Sequence, residues 1–331
     1  MTDLRTDDID KRLINLLQVD FPLEAEPFAV IGQHLGITEE EVISRIQQLK
    51  AKGIVRLIGP VLEARKLGYQ TTLVAMSVPV EKLKKSEKTI ADHPAVSHAY
   101  EREHRLNLWI TFAAPAQADI EGEIGKLATT VESTQAFSLP ALKLFKIGAY
   151  FGMGSEGDDV EEALPARQAV AMPQPILLTS REKLLLNVIQ QDLPLVHKPF
   201  SCMADSTGLK VNDLLTCCSS LLEKGIMRRY SASINHRNAG YRANAMVCWL
   251  APSVMVEKAG NEMAKMKQVS HCYERKTCNS WPYNLYAMLH ARSREICSGL
   301  IQELSTRTGL KEYLVLFSTC ELKKTRIKYS L

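Results

Sequence analysis

Asp20-Phe21-Pro22-Leu23, Pro27-Phe28, Gly36, Gly53-Ile54 and Gly68-Tyr69 return 172 residues later as Asp192-Leu193-Pro194-Leu195, Pro199-Phe200, Gly208, Gly225-Ile226 and Gly240-Tyr241. A spacing that holds over fifty residues makes the chain a tandem duplication. Further on the offset drifts, to 173 where His98-x-Tyr100-Glu101-Arg102 meets His271-x-Tyr273-Glu274-Arg275, and to 180 where Phe137-Ser138 meets Phe317-Ser318. Loop insertions produce such drift. Two diverged copies can build one asymmetric site between them, and the positions where they differ point to it.

Each copy opens with apolar residues at helical spacing, Ile9, Leu13, Leu16 and Leu17 in the first, followed by a second helix near Phe28 to Leu35. Thr38 is an N-cap for a third helix, Glu41 three residues on completes a capping box, and Gly53 closes the helix. The second copy runs through Leu184 to Ile189, Phe200 to Ser206 and Val211 to Lys224, before Gly225. A β-rich strip follows each closing glycine: Ile54-Val55-Arg56-Leu57-Ile58 and Ile226-Met227-Arg228-Arg229-Tyr230. The rest of the first half reads as strand (71–78), helix (81–91), two strands (95–102, 106–112), helix (117–129) and strand (137–147). That is the β-α-β-β-α-β order of a ferredoxin-like fold. The expected class is α+β: two tandem copies of a winged helix-turn-helix domain (1–62, 178–234), each followed by a ferredoxin-like domain (63–151, 235–331). The Gly-, Ala-, Pro- and acid-rich segment 152–177 reads as a linker.

A net charge of +4 on 331 residues is too mild to argue for nucleic acid or an anionic membrane. The first residues lack the apolar run of a signal peptide and no stretch is long enough to span a bilayer, so the expectation is a cytoplasmic protein without membrane contact. All eight cysteines lie between Cys202 and Cys320, with no C-x-x-C pair. A disulfide framework confined to one of two copies makes little sense, and the spacing fails for zinc, so reduced thiols are expected.

The second domain of each half holds a dense run of aromatic, His and Arg residues, His98 to Trp109 and His271 to Tyr286. On a strand, His, Tyr and Arg at n, n+2 and n+4 share one face, so His98, Tyr100, Arg102 and His271, Tyr273, Arg275 each form a row. A solvated or packing face could show the same alternation; its recurrence in both copies, each followed by Asn-Leu-Trp/Tyr, favours a site.

A helix-turn-helix joined to a ferredoxin-like domain resembles the Lrp/AsnC family of transcription regulators, over nearly the whole of each half. The resemblance raises DNA binding, and the charges argue against it. The third helix, which would enter the major groove, begins Thr38-Glu39-Glu40-Glu41, and its counterpart Val211 to Cys218 has no cation before Lys224. A closer resemblance is carried by His271-Cys-Tyr-Glu-Arg, Trp281-Pro-Tyr-Asn-Leu, Gly225-Ile-Met-Arg-Arg-Tyr, Asn235-His236-Arg237 and Leu322-Lys323-Lys324 in the second half. In the first half it rests on Gly53-Ile-Val-Arg56, Arg65-Lys-Leu-Gly-Tyr69 and Leu106-Asn107-Leu-Trp109. These resemble the two partner subunits of the siroheme decarboxylases, and the chain is similar to their fused form.

The resemblance implies an enzyme that removes CO2 from the C12 and C18 acetates of siroheme, giving didecarboxysiroheme for haem or haem d1 synthesis. It implies no cofactor beyond the iron tetrapyrrole substrate, since the macrocycle can act as electron sink. His271 and Tyr273 are the catalytic candidates, as donors of the proton that replaces CO2. Arg228, Arg229, Arg275, Lys323 and Arg326 are the expected carboxylate-binding cations. Trp281 and Tyr283 are the expected aromatic wall, with His236, Asn284 and Asn107 as further polar contacts and His98, Tyr100 and Arg102 reaching across a pseudo-dimer interface. Either His98 or His271 is expected to ligate the substrate iron. Because Arg56-Leu57-Ile58-Gly59 becomes Arg228-Arg229-Tyr230-Ser231 and a four-residue insertion carries Trp281, the second half is expected to line most of the site. Siroheme is thus the expected partner, the two halves an intramolecular pseudo-dimer, and further homo-oligomers an open question. A sensor of a tetrapyrrole or other small ligand is the alternative reading on the fold alone.

Overall fold

The computed structural model describes residues 6–19, 21–148, 150–153, 170–171, 173–205 and 207–331. Its first half runs α1 (Asp8–Val19), α2 (Pro27–Leu35), α3 (Glu39–Ala51), β1 (Val55–Leu62), β2 (Tyr69–Ser77), α4 (Val80–Asp92), β3 (Val96–Arg102), β4 (Leu108–Pro115), α5 (Ile120–Thr130) and β5 (Gln135–Ile147). A two-residue β6 (Val170–Ala171) precedes the second half: α6 (Ser180–Ile189), α7 (Pro199–Asp205), α8 (Val211–Glu223), β7 (Met227–Ile234), β8 (Ala243–Trp249), α9 (Ser253–Lys265), β9 (Val269–Arg275), β10 (Leu285–Ala291), α10 (Arg294–Thr308) and β11 (Tyr313–Lys324). The α+β class and the duplicated order are as the periodicity predicts. Asp20, Ser206 and most of the segment read as a linker lie outside the described residues.

Helix ends follow local chemistry. Thr38 caps α3 by accepting from the Glu41 amide at 3.2 Å, but the reciprocal half of the expected capping box is missing because the Glu41 carboxylate turns to Arg45. The complete box sits at Thr179 and Glu182 on α6. Gly53 and Gly225, at φ of 65° and 62°, make the left-handed turns that release the chain into β1 and β7.

Those strands do not form separate wings. β1 pairs antiparallel with β7, placing Gly59 opposite its own repeat equivalent Ser231. A pseudo-dyad therefore passes between the two. The amide of Phe21 donates to Tyr230 O and that of Leu193, its counterpart, to Ile58 O. One apolar core joins both helix-turn-helix copies, with Phe28 and Ile46 beside Phe200 and Leu221. Tyr230 is 2% exposed in this core, against Phe21 and Phe200.

The ferredoxin-like sheets, β5-β2-β4-β3 and β11-β8-β10-β9, fuse edge to edge. β5 pairs with β2 through residues 135–140 and then with β9 through 141–147, while β11 leaves β8 to pair with β3. Of the nine strands in this sheet β6 lies outside the ring, and the other eight close into a barrel. Closure leaves no unpaired edge on β3 or β9. Apolar faces toward α4 and α5, and toward α9 and α10, bury two outer cores, while a third cluster around Trp109, Trp281, Tyr286 and Leu316 fills part of the interior.

Candidate active site

Ala99 and Cys272 belong to the outer, helix-covered cores, so the alternating side chains of β3 and β9 face into the barrel. These are His98, Tyr100, Arg102 and His271, Tyr273, Arg275, the two rows predicted from spacing. Five of these six are half-buried and Arg102 is buried, and burial dominates the electrostatics of the histidines. Around the ring β3 and β9 are four strands apart in either direction, which sets His98 and His271 opposite one another.

Each histidine is held by the serine before it. His98 Nδ1 lies 2.9 Å from Ser97 Oγ and His271 Nδ1 lies 2.9 Å from Ser270 Oγ. The serine hydroxyls reach Thr111 O at 3.4 Å and Met288 O at 3.3 Å. A hydroxyl that donates to a carbonyl accepts from Nδ1–H, leaving each Nε2 lone pair free for the chamber. Burial pushes both imidazoles down to about 3, so they are neutral at pH 7. A neutral imidazole with an open Nε2 is an iron ligand or a proton acceptor.

The β1–β7 ribbon covers the histidine end. Register shifts leave Arg56 and Arg228 as the extra residues of two dyad-related bulges, a device that re-aims a side chain. Arg56 pairs with Glu321, whose other oxygen is 3.4 Å from the Tyr100 hydroxyl. Arg228 pairs with Glu63, and Tyr273 lies within electrostatic reach of both. Two arms result, Arg56–Glu321–Tyr100–His98 and Arg228–Glu63–Tyr273–His271, each built from both halves. This replaces the expected dominance of the second half. Burial raises both phenols above the ordinary tyrosine range, so they hold their protons.

The arms are not identical. Lys324 stands opposite His98 in the strand register, where Ile147 stands opposite His271. Burial lowers Lys324 to about 8, and its Nζ is 3.4 Å from His236 Nδ1. Arg229 is half-buried, bonds Ser231 Oγ through Nε at 3.1 Å, and has no carboxylate partner among the described residues. Burial, then Arg228, lowers it to about 10, still a cation at pH 7. His236 is 1% exposed, stacked on Phe151 and 5.2 Å from the ring of His290. It supports Lys324 from behind, with no surface of its own for a ligand.

Several candidates serve the fold instead. Lys323 points out of the barrel, its Nζ 2.7 Å from His93 O; the inward cation is its neighbour Lys324, because adjacent residues on a strand face opposite ways. Asn107 and Asn284 each spend both ends of the amide on one backbone unit, Val78 and Ala251. Arg326 donates to Pro60 O and Ser231 O, tying the chain after β11 to the ribbon. Arg102 and Arg275 face inward, yet donate to Leu316 O and Leu139 O of the other half's last strand and lie over Tyr100 and Tyr273. Trp281 is 2% exposed, between Trp109 and His104, and donates to the Tyr286 hydroxyl at 2.7 Å. The inserted loop folds back and plugs the arginine end of the barrel, with the Tyr283 ring edge-on to Trp281, centroids 5.0 Å apart. Neither ring walls the histidine chamber.

Arg56, Lys324, Glu63, Glu321, Phe151 and His290 were not among the candidates. His290, 3.0 Å from Ser270 Oγ, was detectable as the next inward position after Tyr286 and Met288 on β10. The repeated Ser-His pair was equally open to view. The acids and Arg56 reach the site only through ribbon and barrel closure, which no local pattern reports.

Known proteins resemble this chain in sequence and fold. An AsnC-like ligand binding domain model matches residues 66–146 and 238–323, and a siroheme decarboxylase NirDL-like HTH domain model matches 10–56 and 182–228. The siroheme decarboxylase of Hydrogenobacter thermophilus is 37% identical over 319 residues, 96% of this chain and 94% of its own. The chain belongs to the siroheme decarboxylase family. The siroheme decarboxylase beta subunit of Methanosarcina barkeri is 38% identical over 144 residues, 44% of this chain but 95% of the subunit, so one subunit there corresponds to a single half here. A crystal structure of the siroheme decarboxylase NirDL in complex with an iron-uroporphyrin III analogue superposes with a TM-score of 0.69 at 34% identity, over 98% of this chain and 95% of that one. The fused pseudo-dimer is thus a family architecture.

Proposed function

We propose that this chain is a siroheme decarboxylase, a carboxy-lyase that removes CO2 from the C12 and C18 acetates of siroheme to give 12,18-didecarboxysiroheme. The observation that carries the reading is a pair of neutral histidines facing each other inside a chamber rimmed by Arg56, Arg228, Arg229 and Lys324. A polyanionic iron macrocycle fits such a chamber: cations meet its carboxylates and an imidazole Nε2 meets its iron. The complex of NirDL with an iron-uroporphyrin III analogue supports the same ligand class.

The residues supply the remaining needs of the reaction. Cleavage of an acetate C–C bond leaves an electron pair on a methylene conjugated with the ring, and a positioned acid must quench it. Tyr100 and Tyr273, kept protonated by burial, are the acids assigned to this step, and enclosure under the ribbon would exclude bulk water from the departing carboxylate. No further cofactor enters, because the macrocycle delocalises the charge. The helix-turn-helix pair acts as a lid support. Its α3 arginine, Arg45, is taken up by Asp7, Asp10 and Glu41, which disfavours DNA. No helix among the described residues is long and apolar enough to cross a membrane.

The test is the combined variant His98→Ala, His271→Ala. It is expected to retain the wild-type far-UV circular dichroism while losing CO2 release from siroheme. Release at the wild-type rate would remove the histidine pair from the site.

A further inference from the structure

The duplication gives the chamber a two-fold element that one half alone lacks. The half-turn that brings Gly59 onto Ser231 also relates Arg56 to Arg228, His98 to His271 and Tyr100 to Tyr273. The bulge arginines, the phenols and the facing histidines are therefore arranged about one axis, which runs through the ribbon toward the barrel interior. The siroheme ring carries a matching local axis. C12 and C18 lie equally far along the periphery from the C15 bridge, so a half-turn about the line from C5 to C15 exchanges the two acetates and turns over the faces.

Resting on the decarboxylase reading, we propose that siroheme binds in a single pose with this line along the pseudo-dyad, and that each arm decarboxylates one acetate without release or reorientation of the ring. In that pose His98 and His271 meet opposite faces of the macrocycle, as residues related by an in-plane axis must. One acetate enters the arm of Tyr100, Arg56 and Glu321; the other enters the arm of Tyr273, Arg228 and Glu63. In each arm the bond between the methylene and the carboxylate carbon breaks, the electron pair stays on the methylene, and CO2 leaves. One proton passes from the phenol to the methylene and is restored to the phenol from solvent, so that R–CH2–COO⁻ + H⁺ gives R–CH3 + CO2. No electron enters or leaves the ring.

The arms differ where symmetry is broken, with Lys324 beside His98 and Ile147 beside His271, and with acids from non-equivalent positions: the repeat equivalent of Glu63 is Asn235, and Glu321 stands against Tyr100 where Leu144 stands against Tyr273. Two working arms explain why both halves have the same His, Tyr, Arg and bulge. A site that processed both acetates in one arm would need only one such set.

The experiment separates the arms by regiochemistry. Tyr100→Phe and Tyr273→Phe, each lacking only a hydroxyl, are incubated anaerobically with siroheme, and the products are examined by mass spectrometry and by NMR for the position of the new methyl group. Each variant is expected to slow one of the two losses by about 100-fold or more, and the two are expected to accumulate opposite monodecarboxylated isomers. The same isomer from both, unimpaired double loss in both, or loss of both steps in one variant alone overturns the two-arm assignment. A chase tests the pose in the unmodified protein: enzyme loaded with ¹³C-labelled siroheme is mixed with excess unlabelled siroheme. Labelled didecarboxylated product alone is expected, and labelled monodecarboxylated product free in solution overturns the single pose. Failure of wild type to release any CO2 would instead refute the decarboxylase reading beneath it.

Discussion

Acidification from pH 6.5 to pH 5 is expected to destabilise the fold through His236 and His290. These rings are 1% and 8% exposed and pack on each other and on Phe151. Burial is the main cause of their depressed basicity; Lys324, Arg237 and Arg56 add to it for His236, and His236, Lys324, His271 and Arg102 for His290. His236 is lowered to about 3 and His290 well below its ordinary value. In the unfolded chain both titrate near 6.5, so below that pH the unfolded state binds more protons than the folded one. Stability contributed by keeping them neutral is present above 6.5 and is lost progressively as the pH falls toward 3. Between pH 6.5 and pH 5 the loss is about 1.6 kcal/mol for each ring, about 3 kcal/mol together. For a chain of this length the unfolding entropy is roughly 0.7 kcal/mol per degree, so the melting temperature should fall by about 5 °C from this pair. The assay is differential scanning calorimetry of wild type and of the double variant His236→Gln, His290→Gln at both pH values. The variant should be less stable at pH 6.5 but lose about 5 °C less on acidification, since His98 and His271 contribute equally to both proteins. An identical acid shift in the two proteins would refute the argument that these imidazoles are held neutral.

Three further outcomes follow from the site. Arg229→Ala should weaken siroheme binding about 10- to 100-fold, the worth of a charge-assisted hydrogen bond, read by absorbance titration; an unchanged affinity places Arg229 outside the chamber. Siroheme affinity of wild type should decline as the pH rises through about 8, where Lys324 loses its charge, and Lys324→Gln should flatten that decline; a steep decline in the variant assigns it to another group. Trp281→Ala should cost about 3–5 kcal/mol of stability by denaturant unfolding while leaving siroheme affinity intact, because the ring fills the far end of the barrel; a large loss of affinity would contradict that placement.

Much of this architecture was legible in the residues. Repeat spacing, the closing glycines Gly53 and Gly225, and the alternation in β3 and β9 are local signals, and they located both inward rows. The misreadings share one cause: side-chain fate is decided by tertiary closure. Asn107, Asn284 and Arg326 look like ligand-binding groups in sequence, but each finds backbone groups from distant segments. Trp281 looks like an aromatic wall until the insertion folds back between Trp109 and His104. Lys323 and Lys324 are adjacent, and only the bulged register of β11 against β3 decides which points inward. Arg56 and Glu321, 265 positions apart, meet only because the ribbon caps the closed barrel.

The central claim is tested most directly by anaerobic incubation of the purified chain with siroheme and a time course of tetrapyrrole mass. Two successive losses of CO2, ending at didecarboxysiroheme, are predicted. Siroheme that stays bound with its mass unchanged would contradict the account and mark the chain as a tetrapyrrole-binding sensor.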